Sequence, residues 1–190
     1  CYPGTRKAIL TQVKEWAKKQ DTKTPSIFWL RESGGTGKSA IAMSIAQWGF
    51  EEVNILGGGF FFDRQTPQCD LRSFTLTIVH DLALSDLSKI TSIAQVLDDH
   101  RHNPEDLLAS VLEKLDLRGP TLLLVDALDE CDEEVAEKII SLLSTIPESA
   151  PQLRIFLTSR PESRIVDAFR RVDIHSLIEH NVNDSPHVDS

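Results

Sequence analysis

Three short stretches of this 190-residue chain carry side chains whose types and spacing can do chemistry. The first is Gly34-Gly35-Thr36-Gly37-Lys38-Ser39, with Ala40 behind it. Glycines let successive backbone N–H groups turn toward phosphate oxygens, and a helix N-terminus there adds partial positive charge. Lys38 can reach β and γ oxygens, and the Ser39 hydroxyl can serve Mg²⁺. Gly34, Gly35, Thr36, Gly37, Lys38, Ser39 and Ala40 are therefore the candidate nucleotide contacts. A glycine-rich turn with a chance Gly-Lys-Ser is the bland alternative, and the strand before it and helix after it argue against that. One position departs from G-x-x-x-x-G-K-[ST]: the first glycine is replaced by Glu32. A carboxylate turned inward would repel a triphosphate, but at a strand exit the side chain can turn outward, and Gly34 restores local freedom.

The second stretch is Asp126-Ala127-Leu128-Asp129-Glu130. Ligands of parallel sheets bind beyond the carboxyl ends of the strands, where Asp126 would stand. It is assigned to Mg²⁺ through a water, since that ion keeps much of its hydration shell. Glu130, with Asp129 as second choice, can orient or deprotonate an attacking water. The third stretch is Leu157-Thr158-Ser159-Arg160-Pro161, whose arginine can touch a γ-phosphate and stabilise charge during transfer. The candidate catalytic set is Glu130, Asp129, Lys38 and Arg160; the metal set is Ser39 and Asp126.

These residues need a scaffold, and the apolar pattern describes one. Ile9, Val13 and Trp16 recur at helical spacing, predicting an amphipathic helix that closes before Pro25. Residues 26–30 form a short apolar run, read as a buried parallel strand leading into the glycine loop. Ile41, Ile45 and Trp48 mark the helix after it. Residues 55–62 read as a second strand whose glycines permit close backbone approach. Three helices follow, with stripes Leu71/Phe74/Ile78/Leu82, Leu87/Ile90/Ala94/Leu97 and Leu107/Leu108/Val111/Leu112/Leu115. The last of these opens on Asn103 as cap and Pro104 in its first turn. Strands are expected at 121–125, 153–158 and 172–177, with helices through Val135–Ile146 and Ile165–Phe169 between them. Alternating strands and helices mean an α/β fold, a parallel sheet with helices on both faces.

Composition narrows the class. Twenty Lys and Arg against 29 Asp and Glu give a net charge of −9, which argues against a nucleic-acid partner. The N-terminal lysines read as a solvated face. No apolar run approaches the ~18 residues of a membrane span, so no membrane partner is expected. Cys1, Cys69 and Cys131 lack zinc-site or disulfide-scaffold spacing and fit a reducing, cytoplasmic setting. His100-Arg101-His102 after Asp98-Asp99 is read as a solvated helix end in preference to a metal site. The chain begins at Cys1 without an initiator Met, which reads as an excised piece of something longer.

With its motifs placed, the chain resembles the NACHT domain of STAND P-loop NTPases, above all those of fungal NOD-like receptor (NLR) proteins. The resemblance rests on Cys1-Tyr2-Pro3-Gly4-Thr5-Arg6, on Ile27-Phe28-Trp29-Leu30 leading into Gly-Thr-Gly-Lys-Ser39, and on Phe60-Phe61-Phe62-Asp63-Arg64. It continues in Leu124 to Cys131 and Ile155 to Glu162. It implies a three-layer α/β/α sandwich with a five-stranded parallel sheet in the order 5-1-4-3-2. It further implies that Thr5 and Arg6 lie near the base and ribose. Residues 1–178 would be the nucleotide-binding domain (1–24 a helical segment, 25–178 the P-loop core), and 179–190 a linker toward an absent helical domain.

Family members are similar in using a diphosphate-bound resting state and a triphosphate-bound, oligomerising state in defence or cell-death signalling. The functional expectation is a slow, Mg²⁺-dependent NTPase switch holding ATP/ADP or GTP/GDP, with self-association or other domains of the full receptor as partners. A binding-only module, with turnover impaired by Glu32, is the alternative. A small-molecule kinase is a third possibility, without an evident acceptor site.

Overall fold

The structure, a computed structural model, describes residues 5–65, 70–85, 87–99, 103–115, 117, 119–172 and 177–181. Cys1 to Gly4, Cys69, His100 to His102, the stretch beyond 181 and the side chain of Thr5 lie outside that description.

The chain alternates helix and strand as its patterning requires. In order come α1 (Thr5–Ala17), β1 (Ile27–Arg31), α2 (Lys38–Gln47), β2 (Leu56–Phe61), α3 (Leu71–Ser85), α4 (Ile90–Asp99) and α5 (Pro104–Lys114). Then follow β3 (Thr121–Asp126), α6 (Glu133–Ser149), β4 (Leu153–Ser159), α7 (Ser163–Arg171) and β5 (Leu177–Asn181). All strand pairs are parallel, and the sheet order is β2-β3-β4-β1-β5, the 5-1-4-3-2 arrangement.

The central strands β1, β3 and β4 are largely apolar runs because both faces of the sheet are covered there. Alternation sorts their side chains. Phe28, Leu30, Leu122, Leu124 and Phe156 point to one side, where they pack with Ile9, Val13 and Trp16 of α1 and Ile41 and Ile45 of α2. Ile27, Trp29, Leu123, Val125, Ile155 and Leu157 point to the other, against α3 through α7. Three layers follow: α1 and α2, the sheet, and the remaining helices. Lys14 and Lys18 lie over the ring of Trp48, at 5.2 and 5.3 Å from its centroid. The N-terminal lysines thus use their stems and charge to tie α1 to the end of α2.

Two elements differ from expectation. Of the strand expected at 172–177, positions 173–176 lie outside the described residues; the described strand, Leu177–Asn181, pairs with β1 from Ile27↔Leu177 onward. It therefore continues three residues past position 178. In α4 the buried positions are Ile93 and Val96, while Ile90 is 46% exposed and Leu87, in a preceding 3-10 turn, is 64% exposed. The 3-10 turn runs directly into α4 with a shorter residue period, so a single helical period does not extend across both.

Candidate functional site

The site is assembled at the C-terminal edge of the sheet, from the exits of β1, β2, β3 and β4. β1 leads straight into the glycine loop. Gly35 and Gly37 have φ of +80° and +86°, the left-handed region that L side chains avoid, and Gly37 is the N-cap of α2. The Arg6 guanidinium lies over Gly37, with Nη2 2.3 Å from where a Cβ would stand, although so flexible a side chain could move aside. Arg6 of α1 thus meets the loop at the start of α2. Its Nε is buried without a hydrogen-bond partner.

Lys38 is folded back on its own loop. Its Nζ donates to the carbonyl oxygens of Glu32 (2.7 Å) and Ser33 (3.0 Å). Burial pushes its pKa below the ordinary value; the carboxylates of Asp129, Glu32 and Asp126 oppose that fall, and Arg160 adds to it. Glu32 itself is 4% exposed. Its side chain does not turn outward to solvent, because its backbone N–H still reaches the Ser159 carbonyl (3.3 Å) and keeps residue 32 between the strand exits. Ser39 and Ala40, at the first turn of α2, are exposed.

β3 ends on Asp126, which is 3% exposed. Thr158 of β4 holds it: the Thr158 hydroxyl donates to Asp126 Oδ1 (2.5 Å) and accepts from the Ala127 N–H (3.0 Å). Ala127 sits at φ 57°, where the chain breaks from the strand into a 3-10 turn over Leu128–Glu130. That turn carries Asp129 inward, at 2% exposure, and leaves the Glu130 side chain 23% exposed at the rim.

Arg160 converges on both carboxylates. Its N–H donates to Asp129 Oδ1 (2.8 Å), its Nε pairs with Asp129 Oδ2 (3.2 Å), and its Nη2 donates to Glu130 Oε1 (3.2 Å). The same guanidinium lies beside the glycine loop, with Cζ 3.7 Å from where a Gly34 Cβ would stand. Lys38, Asp126, Asp129, Glu130 and Arg160 are therefore neighbours.

Three residues enter this network that the sequence had not singled out for the site. Arg64, just past β2, pairs through Nε with Glu130 Oε2 (3.0 Å) and donates from Nη2 to the Asp129 carbonyl (3.0 Å). Arg164, in the first turn of α7, donates to the carbonyls of Asp129 (2.6 Å) and Cys131 (2.9 Å). Its Nε pairs with Glu162 Oε2 (2.7 Å). Burial acts to lower its pKa, but Glu162, Cys131 and Asp129 together outweigh this and the pKa is raised. The available signal was position alone: Arg64, Glu162 and Arg164 all follow the carboxyl ends of strands.

Hydroxyl and carboxylate oxygens are the donors a hard cation takes, so Ser39 and Asp126 fit Mg²⁺. Among the described residues no group of three or more His, Cys, Asp or Glu could hold a metal ion.

A family model described as nephrocystin 3, N-terminal, matches residues 4–160, which include the glycine loop, the β3 acids and Arg160. The chain belongs to the nephrocystin 3 N-terminal family. No curated protein matches it in sequence. Among solved structures, Cdc6p from Pyrobaculum aerophilum is similar with a TM-score of 0.56 at 14% identity, over 93% of this chain and 45% of that one. A structure of Drosophila ORC bound to poly(dA/dT) DNA and Cdc6 gives 0.53 at 13% identity, over 93% of this chain and 28% of that one. This nephrocystin 3 N-terminal chain thus spans under half the length of these solved chains, and shares their fold, a parallel α/β sheet of P-loop NTPase type.

Two expectations change. The P-loop NTPase part of the resemblance stands, while the family is nephrocystin 3 N-terminal and not specifically a fungal NACHT domain. The exclusion of a nucleic-acid partner does not hold: the same fold occurs in an assembly bound to DNA. Net charge averages over a whole surface and does not describe any one patch of it. Among the described residues no helix is long and apolar enough to cross a membrane.

Proposed function

We propose that this domain is a Mg²⁺-dependent purine-nucleotide switch that binds ATP or GTP and hydrolyses it slowly. The observation that carries the reading is the convergence of Lys38, Asp126, Asp129, Glu130 and Arg160 at the mouth of one glycine loop. Backbone N–H groups from Gly34 to Ala40 and the N-terminus of α2 would cradle the phosphates, with Lys38 leaving its loop carbonyls for β and γ oxygens. Arg6, against Gly37, is assigned to the phosphate end of the nucleotide; Thr5 retains the base-side role implied by resemblance. Ser39 and Asp126 would hold Mg²⁺, which supplies neutralisation of phosphate charge.

Hydrolysis needs a base, and Glu130 is the better candidate. Both carboxylates are held by arginines, but Asp129 is buried at 2% exposure whereas the Glu130 side chain is 23% exposed at the rim, where water has access. Glu130 takes the proton of the attacking water as its oxygen bonds the γ-phosphorus. The bond from that phosphorus to the bridging oxygen breaks, leaving nucleoside diphosphate and phosphate, with Lys38 and Arg160 compensating the developing charge. The receptor-type role implied by the NACHT resemblance, a cytoplasmic signalling switch of NLR kind, is the corresponding biological proposal.

A binding-only module is the second reading. It is favoured by the buried Glu32 and by the engagement of both Glu130 oxygens with arginines. One experiment separates them: titrate fluorescent ATP and GTP analogues with and without Mg²⁺ and follow phosphate release. Lys38→Ala is expected to weaken binding about ten- to a hundredfold, as loss of a charge-assisted contact does. Glu130→Gln is expected to retain binding and slow release about 10²-fold or more. Binding without release from the unmodified chain would leave only the second reading.

A further inference from the structure

Glu130 is gripped from two sides, and its two arginines are anchored differently. Arg160 takes Oε1 while its guanidinium lies beside Gly34, at the entrance to the phosphate cradle. Arg64 takes Oε2 from the far side and holds the backbone carbonyl of Asp129 in the same turn. It also faces Glu162 at 3.7 Å.

The local chain explains this reach. The Phe62 N–H donates to the Asp126 carbonyl (3.0 Å), extending the β2–β3 ladder past the strand end. Asp63 then accepts from the Gln65 N–H (3.0 Å), and that turn sends Arg64 across the end of β3. Arg64 is 56% exposed, so a lone ion pair would be weakly held. A guanidinium bonded to a carboxylate and to a backbone carbonyl, with a second carboxylate nearby, is directed by geometry that one pair lacks.

The two partners should respond differently to a triphosphate. Arg160 is the one within reach of a γ-phosphate and can exchange Glu130 for it, freeing Oε1. Arg64 is tied to the turn and stays. We propose that Arg64 is a positioning residue for the hydrolysis proposed above: anchored on the Asp129 carbonyl, it aims the Glu130 carboxylate at the attacking water once Arg160 has moved to the nucleotide. The inference rests on the hydrolytic reading.

The test is single-turnover phosphate release at saturating Mg-nucleotide, with nucleotide Kd measured in parallel, for the unmodified chain, Arg64→Met, Arg64→Lys, Glu130→Gln and the Arg64→Met/Glu130→Gln double variant. Misaiming a base typically costs about ten- to a hundredfold, so Arg64→Met should slow release by that factor with Kd unchanged within about twofold. Arg64→Lys should recover part of the rate. In the Glu130→Gln background Arg64→Met should cost nothing further, because a residue acting through Glu130 has nothing left to aim. An unchanged or faster rate in Arg64→Met overturns the proposal, as do equal losses in both backgrounds or a loss explained by Kd. Nucleotide binding without release from the unmodified chain overturns the hydrolytic reading and this one with it, and is recognisable as such because it appears before any variant is compared.

Discussion

Lys38 carries opposite consequences for binding and for stability. Burial in the glycine loop lowers its pKa from the ordinary 10.5, so the folded chain disfavours the charged form. The stability cost is full at low pH and is relieved as pH rises through the lowered pKa, where the unfolded chain still holds the proton. Phosphate binding runs the other way, because the protonated amine is the form that binds. Nucleotide affinity should therefore weaken with an onset below pH 10.5, in a range where the triphosphate is already fully ionised. Measuring Kd from pH 7 to 10 checks this, and Lys38→Arg should flatten the profile, since a guanidinium keeps its charge. Residue types announced Lys38, Asp126 and the acidic turn, because each stands at a fixed offset from a strand end. Partnerships were not legible. Glu32 could have turned either way at the strand exit, and it is buried. Arg160 was read as a group available to phosphate and is paired with Asp129 and Glu130. Arg64 met them only because two strands far apart in sequence end side by side.

At the scale of elements, the central strands were readable because burial on both faces removes most polar positions and leaves largely apolar runs. β2 is the instructive case, being half glycine. A Cβ on Gly57 would lie 2.5 Å from Thr121 Cγ2 and 3.1 Å from Leu82 Cδ2, so the strand has no room there between β3 and α3. Two residues on, a Cβ on Gly59 would meet nothing closer than 3.7 Å. Gly57→Ala should accordingly destabilise by about 1–2 kcal/mol through overpacking. Gly59→Ala should be neutral or stabilise by up to about 1 kcal/mol, through lower unfolded-state entropy. Denaturant midpoints of the two variants decide this; equal shifts would contradict the steric account. Where periodicity failed, across Leu87 to Leu97, the cause was a change it cannot register: a 3-10 turn that runs directly into α4.

For the whole molecule, Arg154 ties the far edge of the sheet together. It is fully buried in β4, and its guanidinium donates to the carbonyls of Pro151 (2.9 Å), Leu153 (3.1 Å) and Asp21 (2.9 Å), the last in the connection from α1 to β1. Burial lowers its pKa, with the Asp21 charge opposing. Arg154→Ala would orphan these carbonyls and open a void, a loss of about 2–4 kcal/mol. A urea midpoint lower by about 1–2 M is the expected result. Nucleotide affinity measured well below that midpoint should be unchanged, since the site lies at the opposite ends of the strands. The Gly59 N–H, meanwhile, is taken by the Asp81 carboxylate of α3 at 3.2 Å. β2 is an outermost strand, rich in glycine and phenylalanine, and such a border invites another chain to continue the ladder. By occupying a donor there with a charged group, α3 keeps that border from serving as a template, so the glycines that admit the helix do not also admit a fibril.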